Sequence, residues 1–143
     1  MYPYNYVRQT DAGPNPIIIS VERTAFQNCN FRKAVWTGKH LQMTVMSILP
    51  GDEIGFEMHE NTDQLIRIEE GSALVQINDC KGQRDFQQSA NKGDVIFIPA
   101  GTWHNVINTG RCPLKVTSVY APPNHPKGTV HVTKEDAHES EAY

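Results

Sequence analysis

The chain has 143 residues, a formal net charge of −3, 38% apolar residues and three cysteines, Cys29, Cys80 and Cys112. That length suits one small domain with a single core. The mixed, slightly acidic charge leaves no footprint for nucleic acid or an anionic membrane, and the longest apolar run near the start, Ile17-Ile18-Ile19, is far too short for a leader or a membrane span. An odd cysteine count without Cys-x-x-Cys spacing reads as reduced thiols, so a cytoplasmic protein is expected.

In chain order, Tyr2 to Pro16 is rich in Pro, Asn and Gly and reads as an extended arm. A short helix is expected over Val21 to Asn28, then a strand over Phe31 to Trp36 and a turn at Thr37-Gly38-Lys39. His40 to Leu49 predicts a long strand with Leu41, Met43, Val45, Ser47 and Leu49 on one face. Gln64 to Glu69 alternates, with Gln64, Ile66 and Ile68 together. Ser72 to Ile77 follows after a turn. Asp94 to Ile98 reads as a buried strand, stopped by Pro99 and Gly101, and His104 opens the next strand, where His104, Val106 and Asn108 share a face. Leu114 to Tyr120 is the last strand, with Val116, Ser118 and Tyr120 opposite Lys115, Thr117 and Val119. In the proline-stiffened tail, Thr133-Lys134-Glu135-Asp136 can cap a short final helix. The boundaries are an arm over 1–30, a barrel domain over 31–121 and a tail over 122–143. Short strands at this spacing argue an all-β sandwich or barrel.

Chemistry concentrates in two stretches. Glu57 and His59 are two residues apart, so on a strand they project to one face. Gln64 begins a strand after the polar turn Glu60-Asn61-Thr62-Asp63, and His104 opens another strand much later. Two imidazoles and one carboxylate with open positions suit a divalent transition metal, and a neutral glutamine can add a fourth, weak oxygen. Zn, Fe, Mn, Ni and Co all accept such donors. Asp63 reads as a solvated turn residue, Asn108 as structural, and His125 and His131 as surface residues, with a pocket mouth as their alternative.

The run from Gly93 through Pro99, Gly101 and His104 to Asn108 resembles the second motif of the cupin superfamily, whose histidine ligates metal. Gly51 to Gly71 is similar to the first motif, with Glu57 in the first histidine slot, His59 in the second and Gln64 in the glutamate slot. The resemblance covers roughly residues 40 to 121. It implies a double-stranded β-helix, or jelly roll, with the arm and the final helix outside it. It also implies a metal-binding set whose carboxylate has moved to the first slot.

The resemblance extends to small single-domain cupins labelled mannose-6-phosphate isomerase-like, which implies a metal-dependent, sugar-isomerase-like enzyme with a small-molecule pocket. Such chemistry needs a metal to polarise an oxygen and a base to move a proton. Glu57 is the catalytic candidate if it does not bind the metal. No glycine-rich loop enters a helix, which argues against a phosphosugar. The alternatives are a non-haem iron dioxygenase, which uses two histidines and a carboxylate, and a non-catalytic module binding a sugar or other small molecule. The apolar arm, with Tyr2, Tyr4, Tyr6 and Ile17-Ile18-Ile19, together with Leu65, Leu74 and Val119 on outer faces, predicts a two-fold homodimer.

Overall fold

The computed structural model describes residues 11–78 and 85–141. The strands are β1 (Arg32–Thr37), β2 (Gln42–Ile48), β3 (Asp63–Glu70), β4 (Ser72–Asn78), β5 (Asp85–Asn91), β6 (Val95–Ile98), β7 (Trp103–Asn108), β8 (Leu114–Ala121) and β9 (Val130–His131). Two helices flank them, α1 (Val21–Gln27) and α2 (Lys134–Glu141). A six-stranded sheet, ordered β6-β3-β8-β2-β1-β9, faces a three-stranded sheet ordered β5-β4-β7. All the strand pairs are antiparallel. This is the expected jelly roll, with the short C-terminal helix in place.

The interior is divided along the strands. On β2, β3 and β8 the inward residues are apolar at one end, with Met46 and Ile48, Ile66 and Ile68, and Leu114 and Val116, all buried. At the other end they turn polar at one common level: Gln42 and Thr44, Gln64, and Ser118 and Tyr120. Register explains this. Gln42 and Gln64 both pair with Tyr120, and Thr44 pairs with Ser118. On β7, His104 lies at the polar end and Val106 in the apolar core. Each fully buried aliphatic side chain contributes roughly 1.5–3 kcal/mol, so the apolar half can stabilise the fold while the polar half stays free for chemistry.

The strands differ in which side they bury. On β2 the face shared by Leu41, Met43, Val45, Ser47 and Leu49 is the outer one: Gln42, Thr44, Met46 and Ile48 point inward, and Leu41 and Leu49 are exposed. The outward Val45 is buried all the same, because it packs with Ala25 of α1 and Val35, flanked by Ile19 and Met43. A sheet covered on both faces loses the simple alternation. β6 is an edge strand, with Ile96 and Ile98 inside but Val95 and Phe97 exposed; a run of four apolar residues hides its period. The strand-like run Ile17-Ile18-Ile19 of the arm pairs with no strand among the described residues, and Ile18 is fully exposed.

Residues 11–16 fold back on their own barrel. Asp11 Oδ2 accepts from Thr37 Oγ1 at 2.5 Å and from the Gly128 amide at 3.0 Å, and Trp36 Nε1 donates to the Asn15 carbonyl at 2.7 Å. At the other terminus Thr133 Oγ1 caps α2 by accepting from the Asp136 amide, and Asp136 Oδ2 accepts from the Thr133 amide in return. Cys29 and Cys112 are free and exposed; Cys80, Tyr2, Tyr4 and Tyr6 lie outside the described residues. No described helix is long and apolar enough to cross a membrane.

Candidate metal centre

Glu57 and His59 do not lie on a regular strand. Glu57 makes an isolated bridge to His104 with two backbone hydrogen bonds of 3.0 Å, one in each direction. The Gly101 amide donates to the His59 carbonyl at 2.8 Å. The segment carrying Glu57 and His59 is therefore stitched to the turn and strand carrying His104. Gly101 has φ +80, a conformation that favours glycine, and it sets the turn that presents this amide. Asp63 Oδ1 accepts from the Ala100 amide at 2.9 Å, so Asp63 holds the same turn from an exposed position. Asn105 completes the frame: its Oδ1 accepts from the Gly55 amide at 2.8 Å, and its Nδ2 donates to Glu53 Oε1 at 2.6 Å and to Gln76 Oε1 at 3.1 Å.

Ligand atoms of Glu57, His59 and His104 all lie within 4.8 Å of one another. Glu57 Oε1 is 3.4 Å from His59 Nε2 and 3.6 Å from His104 Nε2. His104 Nδ1 lies 3.0 Å from the Thr102 carbonyl. A carbonyl can only accept, so Nδ1 carries the proton and Nε2 presents its lone pair to the cluster. Burial alone would push the Glu57 carboxyl above its usual pKa range. The Arg32 guanidinium, 3.9 Å away, works against burial and favours the ionised carboxylate.

His59 Nε2, His104 Nε2 and Gln64 Oε1 are buried without a hydrogen-bond partner. Buried polar atoms normally find one, because leaving them unpaired costs about 1–3 kcal/mol each. Two imidazole nitrogens facing a carboxylate at 3.4 and 3.6 Å, neither with a hydrogen-bond partner, fit a divalent cation held between them. Gln64 belongs to the same buried polar level, where its Nε2 donates to Ser118 Oγ at 3.3 Å. Asn108 lies away from the cluster at the far end of β7, where it bonds the Ile48 and Cys112 carbonyls and the Gly110 amide.

A cavity of 410 Å³ opens beside the cluster, lined by Glu57, His59, Asn124, His125, Thr129 and His131 among others. His131 is buried, which replaces the surface reading of His125 and His131 with the pocket one. The tail reaches the rim because Gln42 anchors it: Gln42 Oε1 accepts from the Asn124 and His125 amides, and its Nε2 donates to the His125 carbonyl. The Tyr120 ring stands edge-on to both His59 and His125, with centroids 5.8 and 5.2 Å away.

Sequence reasoning missed Arg32. It is 1% exposed, its guanidinium lies over the Phe31 ring, and its Nη1 is 3.3 Å from His131 Nδ1. A single arginine in a short strand carries no motif. The one available signal was a charged residue beginning an otherwise half-apolar strand.

A jelly roll with a two-histidine, one-carboxylate cluster at the polar end of its interior defines a class, and the chain belongs to it: the cupin domain family matches residues 44–120. The uncharacterized protein YrkC of Bacillus subtilis (strain 168) is 53% identical over 127 residues, which span 89% of this chain and 68% of that protein. The uncharacterized protein L612 of Acanthamoeba polyphaga mimivirus is 36% identical over 82% of this chain and 72% of its own. Among solved structures, BH2720 from Bacillus halodurans matches with a TM-score of 0.88 and 51% identity, covering 91% of this chain and 98% of that one. Oxalate decarboxylase of B. subtilis matches with a TM-score of 0.60 and 23% identity, covering 66% of this chain and 26% of that one, and so shares the fold alone.

Proposed function

We propose that this protein is a mononuclear metal-dependent enzyme in which Glu57, His59 and His104 hold a divalent cation and the adjoining cavity admits a small molecule. The observation that carries the reading is the pair of unpartnered Nε2 atoms flanking an ionised carboxylate. Gln64 Oε1 is the fourth protein donor, a weak neutral one steadied by Ser118. The cation supplies Lewis acidity, polarising an oxygen of the bound molecule. The chain supplies the rest: the Thr102 carbonyl fixes the His104 tautomer, Arg32 keeps Glu57 ionised, and the tail around Asn124 and His125 shapes the cavity.

In this reading Glu57 is a ligand, so its oxygens are taken up by the cation and are not free to act as a base. The sugar-isomerase-like subtype rests on resemblance alone and needs a base that Glu57 does not supply. The donor set gives specific support to a second reading, a non-haem iron oxygenase, since two histidines and a carboxylate are the ligands such enzymes use.

The test is calorimetric titration of chelator-stripped protein with Mn(II), Fe(II), Co(II), Ni(II) and Zn(II). One cation per chain is expected, lost in His59→Ala and His104→Ala. Full binding in both variants contradicts the assignment. Oxygen uptake by the iron-loaded protein in the presence of candidate substrates separates the two readings of the chemistry.

A further inference from the structure

Arg32 poses a problem of charge. A cation 1% exposed normally has a close, well-formed partner. Its one ion-pair partner among the described residues is Glu57, at 3.9 Å, and its Nε is buried with no hydrogen-bond acceptor. Glu57 is also the one carboxylate in the metal cluster. A single negative charge cannot balance both a divalent cation and a guanidinium. The rest of the cavity offers no help, since its other lining residues are Met58, His59, Asn124, His125, Pro126, Thr129 and His131, none of them acidic.

The imidazoles on the cavity wall are set up as neutral donors. Arginine can only donate, so His131 Nδ1 accepts from Arg32 Nη1 and the ring proton sits on Nε2. Burial, with Arg32 adding to it, keeps His131 and His125 in their uncharged forms. These rings bring hydrogen bonds to a ligand but no competing charge.

We propose that the cavity takes a small carboxylate, drawn in by Arg32 from behind the wall and oriented by His131 and His125. The proposal deepens the metal reading and leans on it in part, because a bound cation adds to the positive field. The ligand's carboxylate supplies the missing negative charge next to Glu57. A carboxylate suits the site better than a phosphate: no lysine, helix N-terminus or cradle of successive amides lines the cavity. Arg32 is a positioning residue, acting by charge and through His131.

The experiment is a calorimetric titration of metal-loaded protein with malonate, its neutral counterpart malonamide, and inorganic phosphate, after the metal content of each protein has been measured. Malonate should bind and malonamide should not. Arg32→Gln should keep its metal and lose malonate affinity by roughly ten- to a hundredfold, with much of that restored in Arg32→Lys. Should Arg32→Gln fail to fold, His131→Leu removes the donor and should also weaken malonate. Equal binding of malonate and malonamide, tighter binding of phosphate, or unchanged malonate affinity in the folded variants overturns the proposal. If wild-type protein takes up no metal, the metal reading fails separately. Malonate titration of that metal-free protein then decides this proposal alone: Arg32-dependent binding upholds it and no binding overturns it.

Discussion

Replacing Glu57 by Gln keeps the shape of the side chain and removes the one charged donor in the cluster. Divalent-cation affinity should fall by about a hundredfold or more, since even the loss of an outer partner costs ten- to a hundredfold. Unchanged affinity by calorimetry would mean that Glu57 lies outside the coordination sphere. Gln64→Ala should have a smaller effect, on the order of a few-fold, because a neutral amide oxygen is a weak donor. His125 carries a second test, through pH. Burial first, and then the Arg32 charge, push it down to about 3 from its ordinary value of 6.5. Above 6.5 neither folded nor unfolded imidazole is protonated, so no stability is at stake. Below 6.5 the unfolded chain takes up a proton that the folded chain refuses until about 3, so stability is lost as the pH falls across that window. Urea midpoints near pH 7 and about pH 5 should drop less in His125→Gln than in wild type. Equal drops would contradict the buried, neutral reading of His125.

At the scale of elements, the structure separates what holds the fold from what holds the site. Ile66 and Gln64 are neighbours on the inward face of β3, one in the apolar core and one at the polar level. Ile66→Ala should lower unfolding stability by about 3 kcal/mol and leave metal stoichiometry intact. Asn105→Ala should do the reverse in emphasis. It frees the Gly55 amide and Glu53 Oε1 together, loosening the segment that carries Glu57 and His59. Metal affinity should fall steeply, while unfolding stability drops by only about 1–3 kcal/mol for the lost hydrogen bonds. Metal titration and urea unfolding of both variants check this; parallel losses in each would show that site and core are not independent.

The same scale shows what was legible in the sequence. His104 and the turn before it could be read because Pro99, Gly101 and the strand onset leave a local pattern, and the structure places that histidine beside Glu57 and His59. Arg32 could not be read, because its position is set by distant pairing: β1 meets β9 with Arg32 opposite His131. The parity of β2 was hidden for a related reason. Burial of Val45 depends on α1, which packs on the outer face of the sheet and leaves the middle of the strand buried on both faces. His125 and His131 read as surface residues because nothing local reveals that Gln42 draws the tail over the cavity.

For the whole molecule, we propose a two-fold homodimer. Phe97, 74% exposed on the edge strand β6, pairs in register with the half-buried Leu65, and Leu65 with the half-buried Val119, forming an apolar row that is open at the sheet edge. Pairing this row would cover both the apolar surface and the open edge. Light scattering at micromolar concentration should give about twice the 16.1 kDa chain mass, and Phe97→Glu should return it to one chain. A monomeric wild-type protein would contradict the proposal.

A cation held by Glu57, His59 and His104 is the centre of the proposed chemistry. The most direct measurement is elemental analysis of the protein purified from its native source without added metal, beside a His59→Ala, His104→Ala double variant prepared identically. One equivalent of a single divalent transition metal in the wild type, and essentially none in the variant, is the expected result. Wild-type protein free of metal, or a variant that keeps the same equivalent, would contradict the account.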